Sequence, residues 1–249
     1  MDRPRIIISA DKTDLFESTA KLIAEASREA IARSGRFAFV LTGGSTPKGL
    51  YELLATEAWR DRIAWANVHL FWGDERFVPA TDAQSNYGMA KKALIDRLEL
   101  PAANIHRVVT ENTTPESCAN SYEQEIRKFF ETSSARFPSF DFVLNGMGSN
   151  RHVLSLFPGR PTIRESSRLV VSDFIPEVKM DRITMTAPLV NAARQVVFLV
   201  AGEDKAEAVR DVLFGQRNVD EKPAQLIQPD YGELSWMLDA AAASHLPQG

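Results

Sequence analysis

The stretch Phe37-Ala38-Phe39-Val40-Leu41-Thr42-Gly43-Gly44-Ser45-Thr46-Pro47, continued by residues 48–54, decides the fold of this chain. Its first five residues are apolar, a run long enough for a buried strand and too short for a helix. Residues 48–54 repeat apolar side chains at helical spacing, with Pro47 suited to the first helical position and Thr46 to the N-cap. The stretch therefore predicts a strand, a glycine turn and a helix.

The turn between strand and helix has the composition of an anion site. Gly43 and Gly44 let the backbone turn tightly and approach a ligand, and Ser45 and Thr46 add hydroxyl groups. Unpaired N–H groups and the positive end of the helix dipole would face the same point. The alternative is an ordinary strand-to-helix turn, because the sequence matches neither a P-loop nor the G-x-G-x-x-G fingerprint.

Apolar patterns predict alternating strands and helices along most of the chain, with no long linker and no repeat. This alternation predicts an α/β fold: a mostly parallel sheet with helices on both faces, in a single domain spanning 1–249. The expected further strands are Ile6–Ile8, Val68–Trp72, Ile105–Val108, Phe140–Leu144, Arg168–Val171, Arg182–Thr186 and Gln195–Val200. The expected further helices are Thr13–Ser34 (ended by Gly35), the segment from Ser85-Asn86-Tyr87 to Leu98, Pro115–Phe130, Asp204–Phe214 and a final helix Leu234–Ala243 carrying Trp236.

Composition limits the classes of function. The 249 residues are 44% hydrophobic and carry a formal net charge of −4, without a basic run, which disfavours nucleic-acid and membrane-surface partners. No apolar stretch approaches the roughly 20 residues that span a bilayer. Cys118 is the only cysteine, which excludes a disulfide framework and a cysteine-based metal site. The expectation is a soluble cytoplasmic protein.

Four polar or glycine-rich segments each follow a predicted strand: Thr42–Thr46, Gly73–Arg76, Gly146–His152 and Gly202–Lys205. Ligands of parallel sheets bind beyond the carboxyl ends of the strands, so these segments are expected at one edge. The groups brought there are His152, Asp74, Glu75, Arg76, Arg182, Lys205, Ser45 and Thr46. Cations and a helix terminus suit phosphate, and one imidazole suits proton transfer, so a phosphorylated, polyhydroxylated substrate is expected.

Plainer interpretations stay open for these residues. His152 alone would more often be a structural histidine, and Asp74-Glu75-Arg76 could be a solvated charge run. A metal site is disfavoured, because the two carboxylates are adjacent and no H-x-x-x-H-like spacing accompanies them. Ser155 does not lie in a G-x-S-x-G elbow, so a serine nucleophile has little support.

The motifs taken together resemble one enzyme family. They are Leu41–Pro47, Trp72–Pro79, Ser85–Tyr87, Gly146–Gly148 with Ser155–Gly159, Arg182–Thr186, Asn191–Arg194, Gly202–Ala206 and Pro223–Ile227. In order and spacing they resemble 6-phosphogluconolactonase over nearly the whole chain. The resemblance implies a Rossmann-like fold shared with glucosamine-6-phosphate deaminase. It also implies metal-independent hydrolysis of 6-phosphogluconolactone to 6-phosphogluconate in the oxidative pentose phosphate pathway.

On this resemblance we predict that His152 is the general base, and that no metal and no cofactor take part. The expected substrate-binding residues are Gly43, Gly44, Ser45, Thr46, Asp74, Glu75, Arg76, Asn86, Gly148, Asn150, Arg182 and Lys205. The expected partner is a phosphorylated sugar lactone, bound by a monomer or small homo-oligomer. Two rivals remain: a sugar-phosphate isomerase or deaminase, and a non-catalytic or weakly active sugar-phosphate binder.

One segment departs from the family pattern Gly-Met-Gly-x-Asp-Gly-His-Thr-Ala-Ser-Leu-Phe-Pro. Asn150 stands where Asp is usual, Arg151 where Gly is usual, and Val153-Leu154 where Thr-Ala is usual. The lost carboxylate could have oriented the imidazole, and both a missing anion and an added cation lower the pKa of a histidine. The sequence therefore predicts a His152 of low pKa, without a partner that stabilises its imidazolium form, in an enzyme of low activity.

Overall fold

The strand Phe37–Leu41 is fully buried near the middle of a seven-stranded sheet in the computed structural model, which describes residues 4–132 and 137–247. The strands are β1 (Arg5–Ser9), β2 (Phe37–Leu41), β3 (Val68–Trp72), β4 (Asp74–Arg76), β5 (Ile105–His106), β6 (Phe142–Asn145), β7 (Val170–Ile175), β8 (Met180–Met185), β9 (Gln195–Val200) and β10 (Glu233–Asp239). The helices are α1 (Lys12–Ser34), α2 (Ser45–Leu54), α3 (Glu57–Arg60), α4 (Asn86–Ala93), α5 (Pro115–Phe129), α6 (Ala187–Asn191) and α7 (Ala206–Leu213).

The large sheet has the order β1-β10-β9-β6-β2-β3-β5, and all its neighbours are parallel. The predicted α/β fold with a mostly parallel sheet is therefore confirmed. The chain moves outward from β2 to β3 and β5, then returns through β6, β9 and β10 in the other direction. Right-handed crossovers accordingly place α1 and α2 on one face and α5 and α7 on the other. The direction reverses between β2 and β6, and a crevice opens at such a switch point.

A second sheet was not predicted. Its three antiparallel strands have the order β4-β8-β7, so Asp74–Arg76 form a short strand and not a loop after β3. In this pairing Arg76 lies directly opposite Arg182. The structural reason is local: Gly73 N–H donates to the Leu41 carbonyl at 2.9 Å and the Gly73 carbonyl accepts from Met185 N–H at 2.8 Å. The glycine thus carries the chain from one sheet to the other.

The predicted helix at Leu234–Ala243 is wrong, because residues 233–239 form β10 between β1 and β9. Short apolar runs do not distinguish a buried strand from a helix, and here the strand is buried on both faces. Trp236 stacks on Phe198 of the neighbouring strand, with ring centroids 4.1 Å apart.

The predicted start of α2 is also wrong by two residues. The helix begins at Ser45, so Thr46 and Pro47 are its second and third residues, and the N-cap is Gly44 at φ 113°. Elsewhere the predicted boundaries shift: α4 ends at Ala93, β5 has two residues, and β7 runs on to Ile175. Gly35 ends α1 in the left-handed conformation, as expected. No helix among the described residues is long and apolar enough to cross a membrane.

Candidate active site

A cavity of about 600 Å³ lies at the β2/β6 switch point, under the apex of the β7–β8 hairpin. Its wall includes parts of all four segments expected at this edge: the β2–α2 turn, the start of β4, the loop after β6, and Lys205 after β9. The structure brings together these predicted site residues: Gly43, Gly44, Ser45, Thr46, Asp74, Arg76, Asn86, Gly148, Asn150, His152, Arg182 and Lys205.

Glu75 is the predicted binding residue that does not line the cavity. Its buried carboxylate accepts hydrogen bonds from the backbone N–H groups of Arg76, Asn86 and Tyr87 and from the Ser85 hydroxyl. Burial raises the pKa of Glu75, while these backbone donors oppose that rise. The structure therefore corrects the prediction: Glu75 fastens the start of α4 to β4.

The β2–α2 turn exposes backbone donors to the cavity. Gly44 supplies no side-chain cap, so the N–H groups of Ser45 and Thr46 lie in the first helical turn, where no helix carbonyl can accept them. Gly43 packs so closely on Asn86 that a Cβ there would lie 1.8 Å from the amide oxygen. The Asn86 amide nitrogen donates to the Asp74 carbonyl at 2.9 Å, which ties this turn to β4.

The imidazole of His152 is held by one contact at its edge and one on its face. The Oδ1 atom of Asn150 lies 2.5 Å from Nδ1 of His152, and the imidazole stacks on Phe157 at a centroid distance of 4.2 Å. The amide oxygen only accepts, so Nδ1 carries the proton and Nε2 keeps its lone pair. Although the usual carboxylate is missing from this loop, Asn150 therefore still orients the imidazole. Gly148 leaves room for the ring, because a Cβ there would lie 2.1 Å from Nδ1.

The pKa of His152 is lowered to about 4, which agrees with the predicted direction. Burial is the largest cause; Asp74 opposes it, and the cations Arg182, Lys205 and Arg76 lower the pKa further. The imidazole is consequently neutral at physiological pH, the state that a general base requires.

Arg151 is not one of these cations, which corrects the predicted cause. Its backbone has φ 68°, and its guanidinium binds Asp211 and Glu207 of α7 instead of facing His152. Arg151 also does not line the cavity. No local pattern indicates this direction of the side chain, because Asp211 follows 60 residues later in the chain.

Arg76 and Arg182 place two like charges side by side at the cavity. They face each other across the β4–β8 pair, and each has a buried Nε atom without a hydrogen-bond partner. Neither forms an ion pair with any residue that the structure describes. Burial lowers the pKa of Arg182, which is 8% exposed. Like charges opposite each other repel, so this pair favours a bound anion.

Asp74 is the negatively charged residue that raises the pKa of His152. Its carboxylate is held in place by hydrogen bonds. Its Oδ2 accepts from the Ser155 hydroxyl at 2.6 Å, and its Oδ1 lies 3.3 Å from the Asn86 amide nitrogen. Ser155 is thus a support for Asp74, consistent with the absence of a serine-nucleophile motif. The sequence analysis missed Phe157 beneath the imidazole and Glu177 and Val178 at the hairpin apex. Phe157 stands in the motif Ser155–Gly159 but was given no role there, and no motif marks Glu177 and Val178.

Comparison with known proteins agrees with the geometry. The family model described as glucosamine-6-phosphate isomerases/6-phosphogluconolactonase matches residues 10–236. The chain is 39% identical to a 6-phosphogluconolactonase of Synechocystis, over 98% of both chains, and 41% identical to one of Nostoc, over 95% of both. It also resembles the solved 6-phosphogluconolactonase of Trypanosoma brucei, with a TM-score of 0.85 and 27% identity over 99% of this chain and 100% of that one.

Proposed function

We propose a mechanism from one premise: the chain belongs to the glucosamine-6-phosphate isomerase/6-phosphogluconolactonase family. It is a hydrolase that converts 6-phosphogluconolactone to 6-phosphogluconate, a step of the pentose phosphate pathway. The observation that supports a role for His152 is its geometry. A neutral imidazole, held at Nδ1 by Asn150, lines a cavity that also contains three cationic side chains.

In the proposed mechanism Nε2 of His152 takes a proton from a water molecule as the water oxygen attacks the lactone carbonyl. A C–O bond forms, and the carbonyl electrons move onto the oxygen of a tetrahedral intermediate. The intermediate collapses by breaking the bond to the ring oxygen, which receives the proton from the imidazolium. Asp74 stabilises this transient cation, because it is the charge that raises the pKa of His152. Metal-independent chemistry of this kind needs only acid–base transfer.

The substrate phosphate is proposed to bind among Arg76, Arg182, Lys205 and the N–H groups at the start of α2. The Arg76–Arg182 pair, whose buried Nε atoms have no hydrogen-bond partner, and the open first turn of α2 support this assignment. The intermediate oxyanion would be met by backbone N–H groups of the glycine turns or by Lys205, whose Nζ contacts Ser149 Oγ at 3.0 Å.

Lys205→Met separates these two roles. If Lys205 binds the phosphate, the variant should have a higher KM with kcat little changed; if it stabilises the oxyanion, kcat should fall with KM little changed. Steady-state kinetics on the phosphorylated lactone measure both constants.

The catalytic proposal is tested by lactone consumption in a pH-stat, corrected for spontaneous hydrolysis. His152→Ala should lose on the order of 10²- to 10⁴-fold in rate and still bind 6-phosphogluconate. His245→Ala, at an exposed position, is the matched control and should retain full activity. Turnover by His152→Ala equal to that of the wild type would refute the assignment of the base.

We propose that the protein acts as a monomer or small homo-oligomer in the cytoplasm, over one domain spanning 1–249. The isomerase or deaminase rival requires a sugar-phosphate product whose carbonyl group has moved from C1 to C2, with ammonia released when the substrate is an amino sugar. Product analysis after incubation with glucosamine 6-phosphate, with ammonia as the readout, tests that rival directly.

A further inference from the structure

The loop that carries His152 contains two residues in a backbone conformation that L-amino acids adopt at a cost. Arg151 has φ 68° and Leu154 has φ 54°. A non-glycine residue in the left-handed region costs about 1–2 kcal/mol and persists only where its surroundings fix it. Leu154 packs against Gly73, where an added Cβ would lie 2.6 Å from its Cδ2 atom. Arg151 therefore needs an anchor of its own.

The side chain of Arg151 is anchored to α7. Its Nε and one terminal nitrogen contact Oδ2 of Asp211 at 3.1 and 2.5 Å, and the same terminal nitrogen lies 3.4 Å from Glu207. The Arg151 and Asp211 side chains are only 27% and 21% exposed, so water screens this pair less than a surface ion pair. The contacts of the guanidinium with α7 thus fix residue 151 to a helix that lies outside the loop.

The backbone of Arg151 is anchored as well. Its carbonyl accepts from Ala224 N–H at 3.0 Å, in a short 3₁₀ turn at Pro223–Leu226. That turn is joined to α7 through Gln225, whose amide nitrogen donates to the Val212 carbonyl at 3.2 Å. Inside the loop, Arg151 N–H donates to the Gly148 carbonyl at 2.9 Å, and Gly148 N–H donates to the His152 carbonyl at 3.0 Å. The anchored residue is therefore directly tied to the residues that flank and carry the imidazole.

We propose that Arg151 is a positioning residue for His152, and that its ion pair with Asp211 keeps Nε2 aimed into the cavity. The inference rests on the role proposed above for His152 as the general base. Arg151 acts through the loop and not through its charge, because its guanidinium is paired with Asp211 and Glu207 of α7. Asp211 and Glu207 thereby become part of the support of the active site, although neither lines the cavity.

The experiment removes the charge of Asp211, the partner of Arg151 on α7. Asp211→Asn keeps the loop sequence intact and should lower kcat by on the order of 10-fold to 100-fold, as misplacement of a reacting group does. KM should change little, because Arg76, Arg182 and the β2–α2 turn lie outside this loop. The acid limb of the pH–rate profile should not move. Arg210→Gln is the matched control, since Arg210 binds the other oxygen of Asp211 at 3.0 Å from the exposed surface; it should retain kcat.

Two further measurements distinguish positioning from general stability. Arg151→Ala should resemble Asp211→Asn, and the double variant should be no worse than the poorer single variant, because both remove one contact. The Nδ1–H proton resonance of His152 should broaden or vanish in both variants and be unchanged in Arg210→Gln. Arg151→Lys should recover part of kcat.

Each outcome has a defined meaning. A fall in melting temperature with wild-type kcat per folded molecule in Asp211→Asn would overturn the positioning role. So would a shift of its acid limb, which would mean that the pair acts by charge. If His152→Ala is fully active, the proposed base has failed; if His152→Ala is inactive and Asp211→Asn is fully active, only the positioning inference has failed.

Discussion

Replacing Asn150 by Asp tests the environment of the proposed base most directly. The substitution puts a carboxylate oxygen in the place of the amide oxygen that lies 2.5 Å from Nδ1 of His152. An anion in contact raises the pKa of an imidazole by roughly 1–3 units. Starting from the value of about 4, the pKa of His152 should rise into the range of roughly 5 to 7.

The sign of the effect on rate follows from the protonation state. Only the neutral imidazole accepts a proton from water, so activity is lost below the pKa of the free enzyme. The acid limb of kcat/KM should lie near pH 4 in the wild type. In Asn150→Asp it should lie roughly 1–3 pH units higher. Above the limb the stronger base should be faster, roughly 3- to 30-fold if about half of the pKa change appears in the rate.

The assay is a pH–rate profile of lactone hydrolysis from pH 3.5 to 8, measured on the wild type and on Asn150→Asp. Asn150→Leu is the control, because it removes the acceptor without adding charge. It should lower kcat and leave the limb at or below its original pH. The reasoning is refuted if the limb of Asn150→Asp stays where it was, or if Asn150→Leu moves it upward to the same extent.

Three other substitutions have outcomes that the structure specifies. Gly43→Ala should lose binding of 6-phosphogluconate in calorimetric titration, because its Cβ would displace the Asn86 amide. Arg182→Met should weaken 6-phosphogluconate binding in the same titration, because it removes one of the two cations of the β4–β8 pair; an unchanged affinity would contradict the anion site. Burial, His106 and Arg36 lower the pKa of His69 to about 4, so protonation favours unfolding and stability is lost as pH falls from about 6.5 to about 4. In His69→Phe the free energy of unfolding, measured by urea titration at several pH values, should fall less over that range. A fall as large as in the wild type would show that His69 does not cause it.

The sequence was sufficient to predict which loops meet, because that follows from alternation and from the direction of parallel strands. It was also sufficient to predict that His152, after β6, and Lys205, after β9, lie at the same edge of the sheet. It failed where long-range pairing decides the structure. Residues 234–238 have the same apolar content as a buried helix, and only their position between β1 and β9 makes them a strand.

Side-chain directions were the other failure. Arg151 was expected beside the imidazole, yet its guanidinium turns to carboxylates on α7, which no local pattern relates to the loop. Glu75 was expected in the cavity, yet three hydrogen-bond donors at the start of α4 and the N–H of Arg76 hold it beneath the surface. Both cases depend on which acceptor is nearest after folding, and that is a property of the tertiary structure.

The pairing of Arg76 with Arg182 also has a consequence for the order of folding. The two residues are 106 positions apart (182 − 76), and they become neighbours only when β4 and β8 join. Closing so long a segment costs chain entropy before the contacts that stabilise it can form. The closure also brings two positively charged side chains together, and these repel each other. We therefore expect a chain that is still being synthesised to have no affinity for phosphate until β8 has been made. An anion that binds the pair would then favour the completed structure over every shorter intermediate.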